Sequence, residues 1–423
     1  MAIKKTKRIF WDTAAGMNNP SSIHAEGLMA EKKVEEARAK IAEILFAHPD
    51  EIIFTGSGTE SDNLAILGVA EAIGVRNATS SEPEVVFRTP RPGHIITTAI
   101  EHKAVLEPCR HLQKKGYRVT YLGVDKNGQV NLKELKESLT KDTFLVSVMM
   151  ANNEIGTIQP IKEIAKIIRH FRKENDIHPA GGGASLPYLH TDACQAGRFL
   201  DLNVAKLGVD LLTFNGSKIY GPQGIGALYV RRGVMIAPIM FGGGQERGLR
   251  SGTHNVAGIV GLAEALAVCA KNRDKETVRL EKIQKKLMME LKKISGVVIN
   301  GPDVRSDLRR ATSGSLEVAF LTSLRLPNNI NFSVAGPADG GVNLDGEQLV
   351  IELDAQGFAV SSGSACSHDN GEGSYSIRAI GGSEERANSA VRLSLPREAT
   401  IAQASQFIKA LKAILTKYKK VNF

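Results

Sequence analysis

The strongest constraint on this chain is an alternation of short apolar strands with amphipathic helices through its first two thirds. Glu26 to Phe46 carries Val34, Ala37, Ile41, Ile44 and Leu45 at three-to-four spacing, which predicts a helix. Glu51 to Thr55 reads as a short strand, and Thr59 to Ala72 as a second helix with Thr59-x-x-Asp62 as its capping box. His94–Thr98, Arg118–Leu122 and Phe144–Val148 are strands with helical stretches between them. A helix begins at Pro160 and shows Ile161, Ile164, Ile167 and Ile168 on one face. Val209–Phe214 and Gly226–Val230 are further strands. Helical crossovers are what parallel strands require. The expected architecture is therefore α/β, a mostly parallel sheet covered by helices on both faces.

The rhythm changes near residue 270. A charged helix runs from about Arg273 to Lys293. It is followed by the strand Ile330–Val334, a helix around Gly346 to Gln356, the strand Val391–Leu395 and an amphipathic segment from Ala402 to Leu415. This predicts a smaller α+β unit. A chain of 423 residues accommodates two or three domains, or one large α/β unit. Gly-Gly-Gly at 181–183 and at 242–244 mark loops, not linkers.

Composition matters for what it excludes. The chain is 42% hydrophobic and 23% charged, which excludes a disordered segment. No stretch reaches the ~18 apolar residues of a membrane span. Met1–Phe10 is basic without an apolar stretch behind it, so a cytoplasmic protein off the membrane is expected. Four cysteines, Cys109, Cys194, Cys269 and Cys366, make no disulfide framework, and no metal site is expected. The net charge is +9, but the basic residues are scattered and no nucleic-acid motif accompanies them. Direct nucleic-acid binding is therefore not expected.

Four segments can carry chemistry. Phe54 to Asn63 passes from strand through a glycine-rich turn into a helix; this is either a phosphate site at a helix N-terminus or an ordinary capped helix. His190 to Gln195 places Asp192 at a strand end, where it can face a protonated ring nitrogen or simply cap the next turn. Asn215 to Gly226 presents Lys218 between a strand and a Gly/Pro-rich turn, as a Schiff-base lysine or a solvated one. Ser361 to His368 sets Cys366 among small polar residues, which favours a reactive thiol over a packed one.

Together these segments resemble the cysteine desulfurases, the NifS/IscS-like members of the class V aminotransferase group. The resemblance runs from Asp12 to about Leu395. It rests on Thr-Glu-Ser-Asp-Asn (59–63), Glu-His-Lys-Ala-Val (101–105), Asn-Asn-Glu-Ile-Gly (152–156) and His-Thr-Asp-Ala-x-Gln (190–195). To these are added Ser-Lys-Ile-Tyr-Gly-Pro-x-Gly-Ile-Gly (217–226), Arg-Ser-Gly-Thr (250–253) and Ser-Ser-Gly-Ser-Ala-Cys (361–366).

The resemblance implies a homodimer of fold type I using pyridoxal 5'-phosphate. Its large domain would span 14–270, with a seven-stranded type of sheet. Residues 1–13 and 271–423 would form the small domain with the cysteine loop. Lys218 would hold the cofactor as a Schiff base, Asp192 would pair with the pyridine nitrogen, and His102 would stack on the ring and shuttle protons. Gln195 would bond the phenolic oxygen. Gly58, Thr59 and Ser217 would line the phosphate cup, with Thr253 reaching it from the other subunit. Arg392 would pair with the substrate carboxylate, and Asn153 would sit beside that carboxylate and the ring oxygen. Cys366 would take sulfur from L-cysteine as a persulfide and release L-alanine. The acceptor would be an iron–sulfur scaffold or a tRNA thiolation enzyme. Selenocysteine lyase, another carbon–sulfur lyase and an inactive binding homologue are the alternatives.

The chain departs from the family pattern in several places. Ser217 stands where the family's Ser-Gly-His-Lys has histidine. The segment from Trp11 to His24 is short, and Ile177 to Leu189 carries an extra glycine-rich piece. The basic run at 417–420 stands in place of an obvious scaffold-docking tail.

Overall fold

The computed structural model describes Asp12, Ala14 and residues 19–76, 93–179, 182–303, 324–334, 344–363 and 373–421. Seven strands form the large sheet: β1 (Ile52–Thr55), β2 (His94–Thr98), β3 (Arg118–Leu122), β4 (Thr143–Ser147), β5 (Tyr188–Asp192), β6 (Leu211–Asn215) and β7 (Gly226–Val230). Their order is β1-β7-β6-β5-β4-β2-β3. The β6–β5, β5–β4, β4–β2 and β2–β3 pairs are parallel, while β7 runs antiparallel to both β6 and β1. The sheet is thus mostly parallel, as the alternation predicts.

Successive strand residues feed opposite faces. Phe54, Ile96, Val146, Leu189, Leu212 and Ala227 join one core with the helices Ala25–Leu45, Ile161–Asn175 and Val256–Leu291. Ile53, Ile95, Leu145, Tyr188, Leu211 and Leu228 join the other, with helical residues Leu64, Val69, Val105 and Leu112. Both faces are therefore covered, as a parallel sheet demands.

A second sheet follows, with β8 (Val297–Ile299), β9 (Asn329–Val334), β10 (Ser361–Ser362) and β11 (Ala390–Ser394) in the order β10-β11-β9-β8. All its pairs are antiparallel. Its core brings together Phe332, Val391, Leu349, Leu353, Phe407 and Leu411 with Leu280, Ile283 and Leu287.

Two local expectations are corrected. The apolar stretch before residue 270 and the charged stretch after it belong to one helix of 36 residues, Val256–Leu291. Leu262, Leu266, Cys269, Thr277, Leu280 and Ile283 keep an inward stripe while the charges face outward, so the change of composition does not break the helix. This helix passes from the first core to the second, with Cys269 in one and Leu280 in the other. The capping box also lies two residues earlier than expected. Ser57 is the N-cap, accepting from the Glu60 N–H at 3.1 Å, and Glu60 reaches back to the Gly56 N–H at 2.7 Å. Beta-region dihedrals at Ser57 (φ −171°, ψ 169°) suit a cap, whereas Thr59 is already helical. No helix among the described residues is long and apolar enough to cross a membrane.

Candidate active site

Parallel strands deliver their loops to one edge of the sheet, and a site builds up where those loops meet. Asp192 ends β5 and is 8% exposed; its Oδ1 accepts from the Cys194 backbone N–H at 2.8 Å. Ser217 and Lys218 lie in the turn after β6, and both are exposed.

His102 is the N-cap of the helix Lys103–Lys114, and its Nδ1 accepts from the Ala104 N–H at 3.1 Å. Burial pushes this imidazole below its ordinary value, with Asp192 opposing and Lys218, Lys103 and Arg392 adding to the effect. The ring is thus neutral at pH 7, and with Nδ1 accepting, its proton sits on Nε2. The charges of Asp192, Lys218 and Arg392 thus all act on His102, although they come from three strands and two sheets.

Arg392 lies in β11 of the second sheet, and its Nη1 donates to the Asn153 carbonyl at 3.0 Å. The side chain of Asn153 is buried and its Oδ1 has no hydrogen-bond partner. Gly58 and Thr59 open the helix after β1, where N–H groups have no carbonyl partner within the helix. A Cβ on Gly58 would lie 2.7 Å from Cys194 Sγ and 3.3 Å from Asn215 Nδ2, so only glycine lets the helix start sit this close to the end of β5. Gln195 is half-buried in the turn after β5.

Thr253 stands apart. It is exposed, and with Arg250, His254 and Asn255 it lines a cavity of about 90 Å³ shared with Phe54, Thr55 and Gly56. Cys366 lies outside the described residues.

The donor set fits pyridoxal phosphate. Asp192 could pair with a ring nitrogen, Lys218 could carry the cofactor's carbonyl carbon, His102 offers a neutral imidazole, and Gly58 lets a helix N-terminus sit close to the end of β5. Asn153 Oδ1 is a buried acceptor awaiting a donor, which a cationic amine bound there would supply.

The structure adds buried carboxyls to which the sequence reading assigned no part in the site's chemistry. Glu101 is fully buried, accepts from Thr98 Oγ1 at 2.7 Å and from the Met149 N–H at 2.9 Å, and burial pushes it up to about 8. Glu154 is fully buried and accepts from the Ser374 hydroxyl. Asp62 lies beneath the site, close to His190. The available signal was that each acid lies within one of the motifs 59–63, 101–105 and 152–156, beside residues of the site.

The aminotransferase class-V family profile matches residues 3–407. The chain is 42% identical over 405 residues to a cysteine desulfurase IscS of Dictyoglomus turgidum, covering 96% of this chain and 89% of that protein. It is 36% identical over 404 residues to cysteine desulfurase IscS 1 of Archaeoglobus fulgidus, covering 96% and 91%. Among solved structures, a NifS-like protein superposes with a TM-score of 0.76 at 36% identity, covering 94% of this chain and 92% of that one.

Proposed function

The chain belongs to the class V aminotransferases, and from that premise we propose that it is a pyridoxal-phosphate-dependent cysteine desulfurase acting on L-cysteine. Pyridoxal phosphate is its cofactor. The observation that carries the proposal is the convergence of Asp192, Lys218 and His102 from the first sheet with Arg392 from the second. The bound cofactor supplies an electron sink for a substrate amine carbon.

The remaining work falls to the chain's own residues. Arg392, already fixed on the Asn153 carbonyl, pairs its guanidinium with the substrate carboxylate. Lys218 would hold the cofactor on its amine and would move the substrate's α-proton. Asp192 would keep a proton on the ring nitrogen, Gln195 would bond the ring oxygen, and Gly58, Thr59 and Ser217 would hold the phosphate with Thr253 of the partner subunit. His102 presents its Nε2–H from a fixed N-cap. Cys366 attacks the substrate sulfur: a sulfur–sulfur bond forms as the carbon–sulfur bond breaks, and L-alanine leaves.

The rest of this reading concerns assembly. Residues 14–270 make the cofactor domain and residues 1–13 with 271–423 the small domain, a division supported by separate cores on either side of the helix Val256–Leu291. A homodimer is supported by the 83% exposed Phe241 with Met240 and Ile239, apolar side chains a few residues before Thr253. The buried free thiols Cys109, Cys194 and Cys269 suit the cytoplasm. The sulfur acceptor is an iron–sulfur scaffold or a tRNA thiolation enzyme.

The test is to incubate the purified protein with pyridoxal phosphate and L-cysteine. Equal amounts of alanine and persulfide, with sulfide on adding a thiol, are expected. Borohydride should fix the cofactor to the peptide containing Lys218. Pyruvate and ammonia in place of alanine, or fixation on another lysine, would overturn the reading.

A further inference from the structure

Beneath Asp192 lies a polar cluster that the chemistry above does not use. His190 precedes Asp192 by two residues on β5 and shares its side of the sheet. It is fully buried. Its Nδ1 lies 2.8 Å from Ser147 Oγ on β4, and its Nε2 lies 3.1 Å from Thr213 Oγ1 on β6. Thr213 is also the strand neighbour of Asp192 in the β5–β6 register. Asp62, on the helix Gly58–Asn63, lies against the same His190 ring. Asp62 is 1% exposed; its Oδ1 is 3.5 Å from His190 Nε2 and has no hydrogen-bond partner.

Proton counting orders this chain. Burial pushes His190 down to about 3, so the ring is neutral and has one N–H. With Nδ1 accepting from the Ser147 hydroxyl, the Nε2–H faces Thr213 Oγ1 and Asp62 Oδ1 together. Asp62 is itself pushed well up, by burial first and then by the charges of Asp192 and Glu101. The charged and titratable groups acting on it include Asp192, Glu101, His190 and the Cys194 thiol.

We propose that the cluster of Ser147, His190 and Thr213, with Asp62 set against His190, is a positioning device for Asp192. It links β4, β5 and β6 by side chains and sets the phosphate-side helix against them directly behind the carboxylate, so that Asp192 would meet the pyridine nitrogen at one fixed depth. Buried polar groups that satisfy one another, as Ser147, His190 and Thr213 do, rigidify what they hold. The proposal rests on the reading that Asp192 faces that nitrogen.

The test uses the holoenzyme and three variants: Thr213→Val, Asp62→Ala and Asp62→Asn. The readouts are the pyridoxal phosphate dissociation constant and the pH at which the cofactor's visible band changes. Thr213→Val keeps the volume and removes the hydroxyl bonded to His190. It should weaken cofactor binding about tenfold, the equivalent of one buried hydrogen bond, and shift the band's titration. Asp62→Ala should do the same, and the double variant should be no worse than either single one. Asp62→Asn keeps the shape and an oxygen facing His190 Nε2 and should leave both readouts near the parent's. Thr213→Val and Asp62→Asn cover the case in which Asp62→Ala does not fold. Variants that lose thermal stability while keeping the parent's dissociation constant and band titration would overturn the proposal and leave the network a packing feature. A parent that holds no pyridoxal phosphate would overturn the underlying reading instead.

Discussion

Glu246→Ala should destabilise the protein by about 3–5 kcal/mol, the cost of stranding one partner of a buried ion pair. The Glu246 side chain is 1% exposed and that of Arg38 is 5% exposed. Their carboxylate and guanidinium meet in a fork at 2.7 and 2.8 Å. Glu246 also accepts from the Phe54 N–H at 2.8 Å and lies 2.7 Å from His254 Nε2. Removing it leaves the Phe54 N–H unpaired, about 1–3 kcal/mol by itself, and leaves Arg38 with the Ile52 carbonyl and Glu35. Glu246 and Arg247 both hold positive φ, at 48° and 57°, conformations that residues other than glycine avoid. The ion pair therefore also fixes the turn leading to Arg250 and Thr253.

Acid reports on the same interaction. Burial alone would raise the Glu246 carboxyl, but its bonds to Arg38 and His254 win and lower it from the ordinary 4.5 to about 2. A depressed carboxylate contributes stability that is fully present above pH 4.5 and is lost as pH falls through 2. The shift corresponds to roughly 3 kcal/mol. The assay is urea unfolding of the cofactor-saturated protein, followed by circular dichroism at fixed protein concentration. Glu246→Ala, Arg38→Met and the pair Arg38→Met/Glu246→Leu would be compared. The pair should cost clearly less than the sum of the single variants, since it strands no charge. A Glu246→Ala cost below about 1 kcal/mol, or strictly additive costs, would refute the reasoning.

The remaining predictions concern the site. Gly58→Ala should weaken cofactor binding at least about tenfold, because its Cβ would lie 2.7 Å from Cys194 Sγ; unchanged binding by equilibrium dialysis would contradict that close approach. Iodoacetamide at pH 8 should modify Cys366 and spare Cys109, pushed up to about 12, and Cys194, pushed well up, both chiefly by burial; peptide mapping that finds native Cys194 labelled early would count against this. Cys366→Ser should keep the cofactor and its spectral response to L-cysteine but carry no persulfide, because a hydroxyl is a far poorer nucleophile toward sulfur than a thiolate. Sulfide release at the parent rate would point to a lyase. Thr253→Ala should cost roughly 1.5–3 kcal/mol of cofactor binding if its hydroxyl meets the partner subunit's phosphate, and equal affinity would remove it from the site.

The sequence by itself determined the order and type of most elements. Short runs such as His94–Thr98 and Gly226–Val230, and the three-to-four repeat within Ala25–Leu45, are local patterns, and they became those strands and that helix. The sequence also set out the site's chemistry, because Asp192, Lys218 and the helix start at Gly58 each follow a strand within a few residues. Only the tertiary structure decided what depends on distance in space. Thr59 and Ser57 both suit a cap, and backbone dihedrals selected Ser57. The apolar and charged stretches on either side of residue 270 became one helix because two cores lie along it. Asp62, Glu101 and Glu154 look like surface acids as letters. The sheet carries them inside, where burial raises all three, and it sets Asp62 against His190, which lies 128 positions away in the chain but 3.5 Å away in space. Arg392 reaches Asn153 from the other sheet for the same reason. Local pattern is written in neighbouring side chains, whereas desolvation and charge proximity exist only once distant segments have packed.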